Sequence, residues 1–281
     1  MKQIMGIICC FCIGVNLLAD ASPDSTCGWK KQLVSGLNLT QINLNNWSQG
    51  GENTWTWMLD INGQLSRTAP KFDWTTGLKI AYGKSKAGDD RAKKAADEIR
   101  IESVWTYKLA GKINPYASGT AQSQFTKGYD YGTDDPAAVS GPLDPAYFME
   151  SIGLNYKPNE SLQSRLGLAF KQTITSDYPI PYADDPETAK VEKTRTEAGA
   201  VMVTDLNARL AENIVLTSKL ELFSNLEALN TTDVYWDNLF SSKISKWISV
   251  GFNFRLVYDR DVSTKRQIRQ MLTAGILYTI L

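Results

Sequence analysis

From about Leu33 to Leu281 the chain sets an apolar side chain at every second position, in stretch after stretch, and the joints between stretches alternate short and long. A period of two is the strand period, because successive side chains point to opposite faces of a sheet. Thr54–Thr68 shows it most clearly. Trp55, Trp57, Leu59, Ile61 and Leu65 share one face, opposite Thr54, Thr56, Asp60, Asn62, Gln64 and Ser66. The same alternation runs through Phe72–Gly83, Ile99–Ala110, Leu162–Ile174, Trp247–Tyr258 and a last strand carrying Ile268, Leu272, Ile276, Tyr278 and Ile280. Weaker strands near Leu33–Leu44, Ile113–Lys127, Tyr147–Lys157, Thr196–Leu206, Ile214–Leu226 and Val234–Ile244 bring the expected total to about 12.

The joints set the topology. Arg67–Lys71, Gly111–Asn114, Pro158–Ser161, Ala211–Asn213 and Ser245–Lys246 are short, and the joints between them, including Lys84–Asp97, Gly128–Ala146 and Ser176–Thr194, are longer. An even number of strands with short turns at one end and longer loops at the other predicts an all-β fold, a closed antiparallel transmembrane β-barrel of a bacterial outer membrane. Short turns then face the periplasm, and both ends of the mature chain lie on that side. Closure follows from the solvent: an open sheet edge in hydrocarbon leaves backbone groups unpaired at several kcal/mol each.

Aromatic placement is an independent sign. Trp55, Tyr82, Tyr147, Tyr178, Trp236 and Tyr258 fall at the expected outer ends of strands, and Trp74, Trp105, Tyr107, Tyr116, Tyr156, Trp247 and Tyr278 at the inner ends. Two such bands suit the headgroup layers, whereas a soluble sandwich buries its aromatics mid-strand.

The domain organisation is simple. Lys2, an apolar stretch over Ile4–Leu18 and Ala19-Asp20-Ala21 read as a cleaved signal peptide over residues 1–21. A short periplasmic segment, 22–32, would lead into the barrel, 33–281. Beyond the first twenty positions no apolar run reaches the roughly 20 residues a spanning helix needs. Cys9, Cys10 and Cys12 leave with the signal, so Cys27 remains alone and forms no internal disulfide. The last residue is Leu281, where barrels of this kind often carry the Phe that the assembly machinery reads.

The stretch Asn45-Asn46-Trp47-Ser48-Gln49-Gly50-Gly51 with Asn53 is distinctive, as are Ala169-Phe170-Lys171-Gln172-Thr173, Val257-Tyr258-Asp259 and Gly275-Ile276-Leu277-Tyr278. Together they resemble an uncharacterised family of outer-membrane β-barrels of Bacteroides-type bacteria, a domain of unknown function. The resemblance covers nearly the whole mature chain. It implies the barrel fold and brings no assigned activity.

Histidine is absent from all 281 residues. Ser–His–Asp catalysis and His-ligated metals are thereby excluded, and no phosphate loop, Cys-Cys metal spacing or nucleotide fingerprint is present. The expectation is a protein without enzymatic activity, metal or cofactor. A formal net charge of zero gives no basic surface for nucleic acid. The expected partners are outer-membrane lipid and lipopolysaccharide, the barrel-assembly machinery and an unidentified protein.

Charged residues on the polar faces are the candidate lumen lining: Asp73, Lys79, Glu98, Arg100, Glu102, Lys108, Glu150, Arg165, Lys171, Lys219, Glu221, Arg255 and Arg269. Two readings stay open. Mixed charges can line a narrow pore and set its ion preference, or they can pair across the lumen and close it. A Glu98–Glu102 acid–base pair is the weaker account of those carboxylates. In the outer loops Asp89-Asp90, Asp134-Asp135 and Asp184-Asp185-Pro186-Glu187 are either solvated tips or a shared cation site. Asn46, Trp47, Gly50 and Gly51 in the first outer loop are a headgroup anchor or turn, or a group that folds into the lumen. The reading as a whole is a porin-like narrow passive pore or structural barrel, the alternative being an adhesion, assembly or partner-binding barrel acting through its outer loops or periplasmic turns.

Overall fold

The computed structural model describes residues 28–42, 52–132, 135–185, 188–227, 232–245, 248–260, 262–263 and 265–279. The expected signal peptide, Cys27, the first-loop residues Asn46, Trp47, Gly50 and Gly51, Asp134, Pro186, Glu187, Trp247 and Leu281 lie outside them, as do the side chains of residues 277–279. The strands are β1 (Trp29–Ile42), β2 (Thr54–Thr68), β3 (Phe72–Ala87), β4 (Lys93–Tyr107), β5 (Ile113–Ser123), β6 (Gly128–Asp130), β7 (Ala137–Ser140), β8 (Ala146–Tyr156), β9 (Leu162–Ile174), β10 (Thr194–Ala211), β11 (Ile214–Asn225), β12 (Thr232–Lys243), β13 (Ile248–Tyr258) and β14 (Gln267–Thr279). Twelve of them close a barrel in the order β1-β14-β13-β12-β11-β10-β9-β8-β5-β4-β3-β2, and β6 and β7 pair separately in the connection between β5 and β8. Each barrel pairing is antiparallel. The seal between β1 and β14 runs from Val34–Thr279 to Asn38–Gly275.

The outer wall is apolar. Ile152, Leu166, Leu168 and Leu272 are each more than 60% exposed, and they belong to a belt that continues through Ile101, Leu154, Ile248, Phe252 and Ile276. Water would penalise such a surface at about 25 cal/mol per Å², and hydrocarbon does not. The chain is therefore a transmembrane barrel. At the short-turn rim Trp29 packs on Trp74 with centroids 5.6 Å apart, Phe72 and Tyr107 flank Trp105, and the Arg67 guanidinium lies 5.5 Å from the Trp29 ring centroid. Towards the other end Trp57 meets Tyr82 and Trp236 meets Phe254, both edge-on. Amphipathic rings at these two heights suit the headgroup layers.

Several strands differ from the sequence expectation. β4 begins at Lys93 rather than near Ile99, and β3 runs on to Ala87, so the expected long joint Lys84–Asp97 is a tight turn on a protruding hairpin. The two strands pair from Phe72–Tyr107 up to Ser85–Lys93 through a bulge at Gly83 and Lys84. Lys-rich, weakly alternating sequence hid that extension: beyond the membrane neither face needs to be apolar. β10 likewise extends to Thr194 and Ala211, and β1 starts at Trp29.

Some of the described aromatics leave the bands. Tyr116 is 4% exposed and faces inward, its hydroxyl 3.2 Å from Ser151 Oγ. Tyr147 lines an interior cavity, and Tyr178 sits in a loop against Gly141. Being near a strand end fixes height but not side, and the phase of alternation on β5 and β8 is weak.

Glu150 is corrected for the same reason. It is paired with Gly119 on one side and Phe170 on the other, and all three lie on the outer face. It is exposed, two residues from Ile152. Phe148, Met149, Ser151 and Ile152 put apolar and small residues on both faces of β8, so the sequence leaves the phase undetermined. A carboxylate on a lipid-facing wall is unfavourable. Glu150→Leu should therefore stabilise the barrel by about 1–2 kcal/mol, read as a higher urea midpoint in lipid vesicles. An unchanged or lower midpoint would put Glu150 somewhere other than the hydrocarbon belt.

Candidate functional site

Strand alternation delivers charged side chains to the lumen, and closure brings them within reach of one another. In the lower part of the barrel Glu102 of β4 is the hub. Its Oε1 accepts a hydrogen bond from Arg165 Nη2 of β9 at 2.6 Å, and its Oε2 accepts one from Lys219 Nζ of β11. Asp205 of β10 completes the group, 3.1 Å from Arg165 and 3.6 Å from Lys219. One step higher on β4, Arg100 Nη2 donates to Glu221 Oε2 of β11 at 2.7 Å and Nη1 to Gln122 at 2.9 Å. Beside it Lys79 of β3 donates to Asp237 Oδ2 of β12 at 2.9 Å. Arg255 of β13 contacts Glu98 at 2.9 Å and donates to Asp237 at 2.6 Å. Arg269 lies opposite Arg255 in the β13–β14 register.

These pairs span the lumen. Between β4 and β11 the barrel order places four strands on one side and six on the other, and the same holds for β3 and β12. Arg100–Glu221, Lys219–Glu102 and Lys79–Asp237 are therefore near-diametric ties. In a low-dielectric tube an unpaired charge is costly, so opposite charges that can meet will do so. Nearer the short turns Lys108 pairs with Asp73 at 2.9 Å and donates to the Ala69 carbonyl at 3.0 Å. Towards the outside Lys171 gathers Asp233 at 2.7 Å, Asp259 at 3.4 Å and Glu197 at 3.6 Å.

Glu98 and Glu102 do not act as a pair with each other. Each is held by its own cations, Glu98 by Arg255 and Glu102 by Arg165 and Lys219. The sequence reading missed Asp237, Asp233, Asp205, Glu197 and Tyr235. Asp237 and Asp233 have the inward parity of Tyr235, and Glu197 and Asp205 that of Val201. They sit in weakly alternating strands, where no face stood out. It also missed two inward apolar patches: Val201, Val203, Phe223 and Ala169 with Met149, and Met58, Ala81 and Ala96 with Met271. Inward apolar groups share parity with pore-lining charges, so alternation alone cannot find them.

Among the described residues side chains, and no inserted strand, cross the mid-barrel lumen. Several buried polar atoms there have no protein partner: Arg165 Nε, Arg255 Nε, Arg269 Nε, Asn155 Oδ1 and Asn253 Oδ1. Buried polar groups are normally satisfied, so these are positions for lumen water.

The loops fold over the outer mouth. Asp97 accepts hydrogen bonds from Phe125 N, Thr126 N and Thr126 Oγ1, and pairs with Lys94 at 3.0 Å. Asp144 accepts from Ser176 N at 3.1 Å and Asp177 N at 2.7 Å, tying the β9–β10 loop to the β7–β8 connection. That loop carries Tyr182 over the mouth, where burial and the Asp144 carboxylate push its phenol above the usual value, so it stays neutral. Under it lies a cavity of about 350 Å³ whose wall includes Tyr147, Tyr235, Tyr258 and Phe223. Arg100 and Glu221 line it as well, placing the cavity directly outward of the trans-lumen ties.

The acidic loop runs are dispersed. In the tip between β3 and β4 the Lys93 ammonium hydrogen-bonds Asp90 and holds its carboxyl below the usual range, and Asp184 accepts from Glu192 N at 2.9 Å. Among the described residues no group of three or more His, Cys, Asp or Glu is arranged to hold a metal.

Two family descriptions match parts of the chain: "Protein of unknown function (DUF3078)" over residues 39–129 and "Protein of unknown function, DUF481" over residues 152–280. Each spans less than half of the chain. No curated protein matches the sequence. Among solved structures the chain is similar to an outer membrane channel from Pseudomonas putida F1, at 9% identity and a TM-score of 0.42 over 94% of this chain and 100% of that one. It is also similar to the translocator domain of the autotransporter NalP from Neisseria meningitidis, at 12% identity and a TM-score of 0.39 over 91% of this chain and 89% of that one. The NanC porin follows at 8% identity and 0.38, over 88% and 97%.

Proposed function

We propose that this barrel is a narrow passive channel of the bacterial outer membrane, constricted by ion pairs that cross its lumen. One observation carries the reading: charged side chains anchored on opposite walls meet across the lumen. A barrel that served only as a scaffold gains nothing from buried ion pairs, since well-packed apolar side chains of similar volume are as stable or more so. Charged groups lining a tube act on whatever enters it, and their exchange of protein partners for water opens a path without moving the backbone. Twelve strands enclose far less than the aqueous channel of a porin with 16 or more strands, so passage is limited to small solutes.

Proteoliposome swelling tests it. Purified barrel should admit glycine slowly and exclude larger saccharides such as raffinose. Glu102→Ala combined with Lys219→Ala and Arg165→Ala, which leaves only Asp205 of the lower hub, should speed glycine entry severalfold. Absence of swelling in both proteins would remove the channel reading and leave a closed barrel that works through its loops or turns.

A further inference from the structure

We propose that the cavity at the outer mouth is a binding site for one small, neutral, ring-shaped solute with an apolar face and a hydroxylated edge, the chemistry of a monosaccharide. The inference goes beyond the channel reading and stands without it, because binding at the mouth requires no passage.

Size comes first. A volume of about 350 Å³ is at the lower end of the range for ligand pockets, about 300–1,000 Å³, and suits a single ring. The charge of the wall comes next. Three cations, Arg100, Lys171 and Arg255, face three carboxylates, Glu221, Asp233 and Asp259. Each is already matched within the protein: Arg100 to Glu221 at 2.7 Å, Lys171 to Asp233 at 2.7 Å and to Asp259 at 3.4 Å, Arg255 to Asp237 at 2.6 Å. An ionic ligand would have to break one of these pairs in a poorly solvated site, so the wall favours a neutral one. The rings then specify its shape. Tyr147, Tyr182 and Tyr235 offer flat apolar faces with polar tips. Tyr235 is immobilised, with the Arg100 and Arg255 guanidiniums 5.4 and 5.1 Å from its centroid. The hydroxyls of Tyr147 and Tyr182 make no hydrogen bond to another described residue, and Gln122 and Gln267 add amides to the same wall. A pyranose matches this surface. Its C–H face stacks on a ring, and its equatorial hydroxyls donate to carboxylate and amide oxygens and accept from phenols. A plain aromatic hydrocarbon would leave those polar groups unpaired at about 1–3 kcal/mol each.

The test is equilibrium binding to the detergent-solubilised full chain, followed by saturation-transfer NMR with methyl β-D-glucoside, phenol and tetramethylammonium as probes. Saturable binding of the glucoside, in preference to both others, is the expected result. Tyr182→Ala and Tyr147→Ala should each weaken it about tenfold, the equivalent of one stacked ring with its hydrogen bond. Tyr182 stands on a loop outside the barrel wall, so its replacement leaves the heat-sensitive gel mobility of the folded barrel unchanged. Tyr182→Phe, which keeps the ring, should fall between. No saturable glucoside binding, tighter binding of phenol or tetramethylammonium, or glucoside binding indifferent to both tyrosines would each overturn the proposal.

Discussion

Gly167→Val should prevent the barrel from forming. Gly167 on β9 is paired directly with Gly153 on β8, and both face inward. A Cβ on Gly167 would meet the Ile152 carbonyl oxygen, one on Gly153 would meet the Leu166 carbonyl oxygen, and both contacts fall inside van der Waals limits. Above the pair lies Tyr116, whose hydroxyl is 2.9 Å from the site of a Gly167 Cβ. A ring from β5 covers the bare backbone here, a device that lets a sheet curve into a closed tube. A branched side chain displaces backbone and ring together. The loss should exceed about 3 kcal/mol, enough to abolish the gel shift between unheated and heated samples. Gly119→Val is the control: it lies on the outer face with nothing within 4 Å of its added Cβ, and it should fold normally. A folded Gly167→Val barrel of ordinary stability would contradict the β8–β9 register.

Glu102→Ala should have the second largest effect, and on two observables. It removes the shared partner of Arg165, whose side chain is 3% exposed, and of Lys219. Two cations then remain in a narrow lumen with Asp205 alone between them. The expected loss is about 3 kcal/mol, the low end for breaking a buried pair, because Asp205 still reaches both. Adding Arg165→Ala should recover part of it, since the second change removes the stranded charge. Strict additivity in urea titrations of the two single variants and the double variant would show that the groups are not coupled. The same substitution clears side-chain volume and one tie from the constriction, so ion flow should rise while stability falls. Few substitutions in a folded protein join these two changes, and a lumen constricted by paired charges requires it.

Much of this was legible in the sequence, for a physical reason. A barrel in lipid must keep one face of every strand apolar across the hydrocarbon, and Thr54–Thr68 and Leu162–Ile174 carry that constraint over their whole length; both strands begin and end where the alternation does. Where the constraint lapses, so does the signal. The protruding ends of β3 and β4 stand clear of lipid and read as loop. On β8 the alternation is blurred by Met149 inside and Glu150 outside, and the face of Glu150 and Tyr147 could not be told. The pairings were less legible still. Parity shows that Glu102 and Lys219 both face inward, but their meeting depends on barrel diameter and stagger, which no single strand encodes. Tyr182 comes from a loop, where alternation says nothing, and the vestibule it covers had no sequence signal.

Single-channel recording in planar bilayers tests most directly the claim that trans-lumen ion pairs constrict this barrel. The wild-type protein should show a small, steady conductance, and Glu102→Ala together with Glu221→Ala should raise it severalfold in the same salt. Equal conductance in the two proteins, large or nil, would mean that these pairs do not form the constriction.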